Sequence, residues 1–237
     1  MSWGPWRSES SATEGPSKST RYWNSSTTSF IDRDNPMEHL ATEFYKRLIA
    51  ILESIEVADA AGTSFSLYEG IDMAGHVIRS QAALGRKLMF IGNGANASIS
   101  SHMSADFSKN VGVRAMAFND APLLTAVAND HGVEDLFATP ILTFADDGDV
   151  LIAMSSSGRS PNILHGVSAA RAEGCKVITL SAFAPDNPLR SLGDVNFYAN
   201  ADTYALAEVT HHSICHCLLH VVMASQESIS GERSHVG

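Results

Sequence analysis

Cysteine is scarce in this sequence. Its 237 residues include three, Cys175, Cys215 and Cys217, each in an apolar or helix-like stretch. An odd number of cysteines in such positions excludes a disulfide framework and is typical of reduced thiols in a cytosolic protein. We therefore expect an apolar core to hold the fold, and a hydrophobic content of 44% is sufficient to build one.

Basic residues and long apolar runs are also few. The chain has 16 Lys and Arg against 26 Asp and Glu, a formal net charge of -10. A nucleic-acid-binding surface needs clustered Lys and Arg, so this balance argues against a nucleic acid partner. No apolar run approaches the roughly 20 residues of a membrane span, and the N-terminus lacks the apolar core of a signal peptide. These absences predict a cytoplasmic protein without a membrane segment.

The first 35 residues differ in composition from the rest. They are rich in Ser, Thr, Gly and Pro and contain all three tryptophans, Trp3, Trp6 and Trp23, but show no sustained apolar period. Such a segment cannot bury enough apolar surface to offset the entropy cost of ordering. We predict a disordered tail over residues 1–35 and one folded domain over residues 36–237.

Apolar residues of the folded domain follow helix and strand patterns in alternation. Spacings of three and four residues predict helices over about 36–55, 65–83, 96–109 and 202–226. Short apolar runs predict strands at 87–94, 114–118, 150–155, 175–181 and 195–199. Strands that alternate with helices form parallel sheets covered on both faces, so the sequence predicts an α/β fold.

Hydroxyl side chains crowd the end of the predicted strand at 150–155. They are Ser155, Ser156, Ser157 and Ser160. Pro161 suits the first turn of a following helix, whose free amides would point back at the loop. Open α/β folds bind ligands at such strand ends, so hydroxyls and amides together predict a phosphate site. The alternative is that the serines only cap the helix and satisfy the loop backbone.

A glycine-rich turn, GNGANAS at 92–98, follows the strand at 87–94. Asn93 and Asn96 of this turn can bind sugar hydroxyls or phosphate oxygens. The turn matches neither the dinucleotide-binding fingerprint nor the P-loop, because no lysine follows its glycines. The turn therefore predicts a ligand site but does not indicate which ligand binds there.

Four segments carry a family resemblance: GNGANASISSHMSADFSKN, FNDAPLLTAVANDHG, GDVLIAMSSSGRSPNILHGVSAARAEGCKVITLSAF and AEVTHHSICH. They resemble the phosphoheptose isomerase group of the sugar isomerase (SIS) domain proteins, over about residues 36–226. The resemblance implies a three-layer α/β/α sandwich with a five-stranded parallel sheet and an N-terminal helical extension. It also implies a homotetramer that isomerises sedoheptulose 7-phosphate to a heptose 7-phosphate through a cis-enediol, with a serine loop on the phosphate.

The resemblance places catalytic and zinc-binding groups on two helices. On the first helix, the family's His and Glu correspond to His102 and Asp106, which are four residues apart and so share a face. In the family the Glu acts in proton transfer and both residues bind zinc. Asp106 is one methylene shorter, which leaves metal binding plausible and puts direct proton transfer in question.

The last helix allows two registers against the family pattern of a Gln and a catalytic His eight residues later. A gapless match puts Ala207 and Cys215 at those positions, whereas a shift of one residue puts Glu208 and His216 there. We favour the shift because it supplies chemically competent groups.

The shifted register predicts Asp106 and His216 as catalytic residues. The zinc ligands that it predicts are His102, Asp106, Glu208 and His216. Eight helical residues rise about 12 Å, so Glu208 and His216 meet only across a distorted helix start or from different subunits. His212 is the nearer partner. The alternative to a metal site is a polar ridge at a subunit contact, formed by Glu208, His212, His216 and His220.

The family's substrate contacts correspond to Asp120 and Asn129, whose alternative role is to cap turns. The full set of predicted substrate-binding residues is Asn93, Asn96, Asp120, Asn129, Ser155, Ser156, Ser157, Ser160 and Glu208. Asn96 and Asn110 stand where the family has Ser and Arg. These departures leave open a different long-chain ketose phosphate as substrate.

The leading hypothesis is thus an aldose–ketose isomerase of a sugar phosphate. The second class is a non-catalytic SIS module, either a sugar-phosphate sensor or a tetrameric adaptor. Isomerisation of an amino sugar phosphate is less favoured, because no residue that would handle ammonia stands out.

Overall fold

A seven-stranded sheet lies at the centre of the part of the chain that the computed structural model describes, residues 36–234. The strands are β1 (Glu56–Ala58), β2 (Ser64–Phe65), β3 (Leu88–Gly92), β4 (Ala115–Ala117), β5 (Val150–Ser155), β6 (Lys176–Ala182) and β7 (Val195–Ala199). The α-helices are α1 (Pro36–Glu53), α2 (Leu67–Ala83), α3 (Ala95–Val111), α4 (Ala121–Asp130), α5 (Ala138–Phe144), α6 (Pro161–Ala172) and α7 (Tyr204–Ser234). The predicted tail with its tryptophans falls outside the described residues.

The strand order is β2-β1-β7-β6-β5-β3-β4. The five strands from β7 to β4 are parallel, which confirms the predicted α/β class and its five parallel strands. The strand count is corrected by β1 and β2, an antiparallel pair that extends the sheet beside β7. With three and two residues, this pair is too short to show an apolar alternation in the sequence.

Apolar side chains of the central strands pack against helices on both faces of the sheet. Phe90 and Ile152 face a cluster with residues of α2, α3 and α7. Their neighbours Met89 and Leu151 face a second cluster with residues of α5 and α6. Because successive strand residues point to opposite faces, the continuous apolar runs of β3 and β5 serve both layers. This is the three-layer arrangement that the resemblance implied.

The start of α2 illustrates how local sequence sets an element boundary. Ser66 is the N-cap, and its hydroxyl accepts from the Glu69 amide at 3.2 Å while the Glu69 carboxylate accepts from the Ser66 amide at 2.8 Å. This capping box ties up amides that the first turn would otherwise leave unpaired. The helix therefore begins at Leu67, slightly later than its apolar pattern predicts.

Two loops meet at one edge of the sheet. β3 and β5 are hydrogen-bonded parallel neighbours, with Gly92 opposite Met154, so the loops that follow them leave the sheet side by side. The first leads into α3 and the second into α6, and α7 packs against α3. The fold thus brings the glycine-rich turn, the serine loop and α7 together.

The three cysteines are free thiols, as predicted. None of the helices within residues 36–234 combines the length and the apolar composition needed to cross a bilayer.

Candidate functional site

The serine loop begins at the last residue of β5 and ends at the N-terminus of α6. Ser160 is the N-cap residue of α6, but its hydroxyl makes no capping hydrogen bond and lies 3.2 Å from the Ser155 hydroxyl. Two other hydroxyls do serve the loop: Ser155 accepts from the Gly158 amide at 3.1 Å, and Ser157 accepts from the Arg159 amide at 3.2 Å. Helix capping thus does not account for the clustering of the serines. The Ser155 hydroxyl instead lies 3.4 Å from that of Ser157 and 3.2 Å from that of Ser160.

A cavity of about 230 Å³ opens over this loop. Its lining residues are Asn93, Gly94, Asn96, Ser155, Ser156, Ser157, Ser160, Tyr204 and Glu208. Seven of the nine predicted substrate-binding residues are in that set. The lining includes no Lys or Arg, so an anion here would be held by the serine hydroxyls, at the positive end of the α6 dipole. Glu208 carries the negative charge of the lining, and an anion would avoid its side of the cavity.

Asp120 and Asn129 lie outside this cavity. The Asp120 carboxylate accepts from the Leu123 amide at 3.2 Å as the N-cap of α4. The Asn129 amide donates to the Asp130 carboxylate at 2.7 Å. Both side chains have local roles in this chain, and their predicted contact with substrate stays a prediction.

A buried histidine connects α7 to the cavity. His211 is fully buried, and its Nδ1 donates to Asn96 Oδ1 at 3.0 Å. The Asn96 amide nitrogen in turn donates to the Ser156 hydroxyl at 3.4 Å. Burial lowers the pKa of His211 to about 4, so the ring is neutral at pH 7. A contact between residues more than a hundred positions apart leaves no local pattern, so this link was not predicted from the sequence.

Replacing Asn96 by alanine should therefore destabilise the protein. Asn96→Ala removes the oxygen that accepts from the buried Nδ1 of His211, a ring whose Nε2 has no hydrogen-bond partner among the described side-chain contacts. We expect a loss of about 1–3 kcal/mol in the free energy of unfolding, measured by urea denaturation. Asn129→Ala, at an exposed position, is the matched control and should change little. Equal stabilities of the two variants would contradict the buried link.

Three imidazoles come together beside the cavity, from α3 and α7. Each of His102, His212 and His216 offers a ring nitrogen, and these nitrogens lie within 4.8 Å of one another. The ring centroids of His212 and His216 are 4.6 Å apart, because the two residues are one helical turn apart. Asp106 lies at the edge of this group, with its carboxylate 3.4 Å from Nε2 of His102.

His212 is the most enclosed of the three. Its Nε2 is buried and has no hydrogen-bond partner among the described residues. Burial lowers the pKa of His212, and His216 and His102 lower it further, whereas Asp106 acts in the opposite direction. A neutral imidazole with an unpartnered nitrogen is the form that ligates a metal.

The residue pairs of the two registers of the last helix differ in their exposure. Ala207 and Cys215, the gapless pair, are fully buried in the core, and the Cys215 sulfur lies 3.9 Å from that of Met154. Glu208 and His216, the shifted pair, face the cavity and the imidazole group respectively. The chemically competent pair is thus the accessible one.

A second cavity, of about 380 Å³, adjoins the first. It is lined by Ala95, Ser98, Ile99, His102, Glu208, Val209 and His212. Glu208 lines both cavities, the first together with the serine loop and the second together with His102 and His212. Of the four predicted zinc ligands, His102 and His216 join the imidazole group, and Asp106 contacts His102. The group also includes His212, which the predicted set left out although its four-residue spacing indicated it.

The family model for the SIS domain matches residues 43–182. The chain belongs to the SIS domain family. A curated relative of this SIS domain protein, named phosphoheptose isomerase, is from Solidesulfovibrio magneticus. It is 32% identical over 184 residues, which are 74% of this chain and 88% of the relative.

Solved structures agree with that assignment. A phosphoheptose isomerase from Francisella tularensis superimposes with a TM-score of 0.67 at 25% identity, covering 79% of the SIS domain protein and 98% of that chain. One from Neisseria gonorrhoeae gives a TM-score of 0.68 at 24% identity and covers 78% and 98%. The SIS fold therefore extends over nearly the whole length of both.

The SIS domain protein has a donor set that fits zinc. Zn²⁺ accepts imidazole nitrogens and carboxylate oxygens in a tetrahedral arrangement, and three imidazoles with one open position are typical of catalytic sites. The unpartnered, buried Nε2 of His212 is a further indication, since a buried polar atom without a partner is costly unless something binds it.

Proposed function

We propose that this SIS domain protein is an aldose–ketose isomerase of a sugar phosphate, which converts sedoheptulose 7-phosphate to a heptose 7-phosphate. The observation that carries the proposal is the position of Glu208 in the wall of both cavities, between a phosphate-type loop and a group of imidazoles. A relative that covers most of the chain and bears the name phosphoheptose isomerase supports the choice of substrate.

The phosphate would be bound at the serine loop. Ser155, Ser156, Ser157 and Ser160 line the first cavity at the N-terminus of α6. Hydroxyl donors and the positive end of the helix dipole favour a dianion without a basic side chain. Because Glu208 repels a second negative charge, the sugar chain extends from the loop towards α7. Asn93 and Asn96 border this path and suit sugar hydroxyls.

The carbonyl end of the sugar would then meet the groups of α3 and α7. Isomerisation needs a base for the C–H proton, an acid for the oxygen and a positive group for the developing oxyanion. Asp106, Glu208 and His216 are the candidate acid–base groups at this end, and the imidazoles, His102 among them, are the candidate ion site. A bound Zn²⁺ would supply Lewis-acid stabilisation of the negative oxygen.

A homotetramer and a cytoplasmic location belong to the same proposal. Helix α1 exposes large apolar side chains, among them Met37, Leu40, Tyr45 and Ile49, which supports a subunit contact there.

The test is to incubate the purified protein with sedoheptulose 7-phosphate, with and without Zn²⁺, and to follow the sugar by NMR in D₂O. We expect a heptose 7-phosphate to form and deuterium to enter the sugar. Ser156→Ala should raise KM about tenfold, since one hydrogen bond to a charged group is lost. Ser64→Ala, an exposed position on β2, is the control and should leave KM unchanged. Absence of both product and C1 exchange under either condition would contradict heptose isomerisation.

A sugar-phosphate sensor is the second candidate. The observation in its favour is that Asp106, at the position of the family's catalytic Glu, lines neither cavity and contacts His102 instead. Such a protein would bind sedoheptulose 7-phosphate in a calorimeter and catalyse no exchange in the NMR assay, so the same preparation distinguishes the two functions.

A further inference from the structure

We infer that Glu208 is the carboxylate that moves the substrate proton, and that His212 completes the metal-ligand set with His102 and His216. This division of roles rests on the proposed function. It differs from the expectation drawn from the resemblance, in which Asp106 transfers the proton and Glu208 binds the metal.

The position of the two carboxylates decides between them. The Asp106 carboxylate is 3.4 Å from Nε2 of His102, on the side of the imidazole group, and Asp106 is in the wall of neither cavity. Glu208 lines both cavities, one of which holds the serine loop and the other His102 and His212. A general base must be within hydrogen-bond reach of the proton that it takes. Glu208, which shares the wall of the first cavity with the serine loop, is the carboxylate placed to contact a sugar bound there by its phosphate.

The positions of the imidazole nitrogens indicate which residues would bind the metal. The nitrogens of His102, His212 and His216 group within 4.8 Å, and Glu208 lies outside that group. His212 is one helical turn from each of Glu208 and His216, so it occupies the space that separates them. Its buried Nε2 has no partner among the described residues. With His212 as the third nitrogen donor, the set has no need of Glu208, whose carboxylate remains available to the substrate.

Asp106 then has a positioning role. Histidines that bind metals commonly hold their orientation through a contact with a carboxylate, and the Asp106 contact with His102 is of this kind. The shorter side chain of Asp106, compared with the family's Glu, suits a contact within α3.

The proton transfer balances without any further reactant. Glu208 takes a proton from C1 of the ketose, and the electron pair of that C–H bond forms the C1–C2 double bond of the enediolate. The C2 carbonyl oxygen gains the negative charge and is protonated as the C1 hydroxyl loses its proton. Glu208 returns its proton to C2, and C1 is left as the aldehyde.

Metal binding tests the ligand set without reference to activity. The full-length protein is stripped with a chelator and titrated with Zn²⁺, and the Co²⁺-loaded form is recorded by visible absorption. We expect His212→Gln to weaken Zn²⁺ binding at least about tenfold and to change the Co²⁺ spectrum. Glu208→Gln should preserve both. His220→Gln, an exposed histidine further along the same helix, is the control and should behave as the wild type.

A second variant guards against a simple loss of folding. His212→Cys supplies a different zinc ligand at the same place and should recover most of the affinity lost in His212→Gln. Loss of Zn²⁺ binding in Glu208→Gln, full binding in His212→Gln, no recovery in His212→Cys, or no binding by the wild type would each overturn the proposed ligand set.

The proposed role of Glu208 as the base is tested by measuring the rate of isomerisation. We expect Glu208→Gln to lower kcat by about a hundredfold or more, the usual contribution of a general base, and to abolish deuterium entry at C1, while inorganic phosphate binds at least as tightly as in the wild type because a repelling charge is removed. Glu173→Gln, a half-buried carboxylate at the C-cap of α6 and in the wall of neither cavity, is the control. Full activity of Glu208→Gln would overturn the assignment of the base. An inactive wild type that still binds Zn²⁺ through His212 would instead overturn the proposed function and leave the ligand set standing.

Discussion

Gly158→Ala should abolish tight phosphate binding and destabilise the fold by about 2–5 kcal/mol. Gly158 has φ +60°, a conformation that costs an L-residue about 1–2 kcal/mol. A Cβ atom at this position would lie 1.9 Å from the Asn187 side-chain oxygen. Asn187 is buried and cannot move aside, because its amide donates to the carbonyls of Ala182 and Ala184 and its oxygen accepts from the Arg190 amide. The strain would displace the serine loop.

Calorimetric titration with inorganic phosphate and urea denaturation measure the two effects. The control is Gly62→Ala, which has φ +83° but no atom within 4 Å of the added methyl. This variant should lose only the backbone contribution and should bind phosphate as the wild type does. If Gly158→Ala bound phosphate normally, the serine loop would not be the anion site.

Asp149→Asn should cost about 3–5 kcal/mol of stability, the usual penalty for breaking a buried ion pair. Asp149 is fully buried at the start of β5. Its carboxylate accepts from the amides of Lys87 at 2.8 Å and Asp146 at 2.7 Å, and it forms an ion pair with the Lys87 ammonium group. The asparagine side chain has only one acceptor oxygen, so its NH₂ group would face one of the donors that the carboxylate now accepts from, and that donor would lose its hydrogen bond.

Thermal and urea unfolding test this expectation. Asp146→Asn is the matched control, because Asp146 contacts the same ammonium group at 2.7 Å but is 67% exposed. Solvent screens that pair, so we expect a change close to the error of the measurement. A loss in Asp149→Asn no larger than that of the control would show that the buried pair contributes little. Phosphate binding should persist in both variants, because the serine loop lies at the other end of β5.

Apolar runs predicted the parallel core of the fold well. β3 and β5 are buried on both faces, and such strands are continuous apolar runs that a reader of the sequence recognises directly. β1 and β2 were not predicted, because they are very short and their pairing depends on tertiary contacts. β1 pairs with β7, and β2 pairs with β1.

The site was predictable to the extent that its residues follow a strand end or share a helix face. The serine loop and Asn93 were found in this way, and so were His102 and His216. His212 shares the spacing of His216 but was assigned to an alternative, because the resemblance offered Glu208 in its place. The Asn96–His211 contact and the role of Tyr204 in the wall depend on how α7 packs, which no local spacing records.

The most direct measurement is a crystal structure of Glu208→Gln soaked with sedoheptulose 7-phosphate. We predict the phosphate within hydrogen-bond distance of the serine hydroxyls at the start of α6, and C1 and C2 of the sugar between position 208 and the imidazoles of His102 and His212. A phosphate bound elsewhere, or a sugar whose carbonyl end turns away from α7 into solvent, would contradict the account.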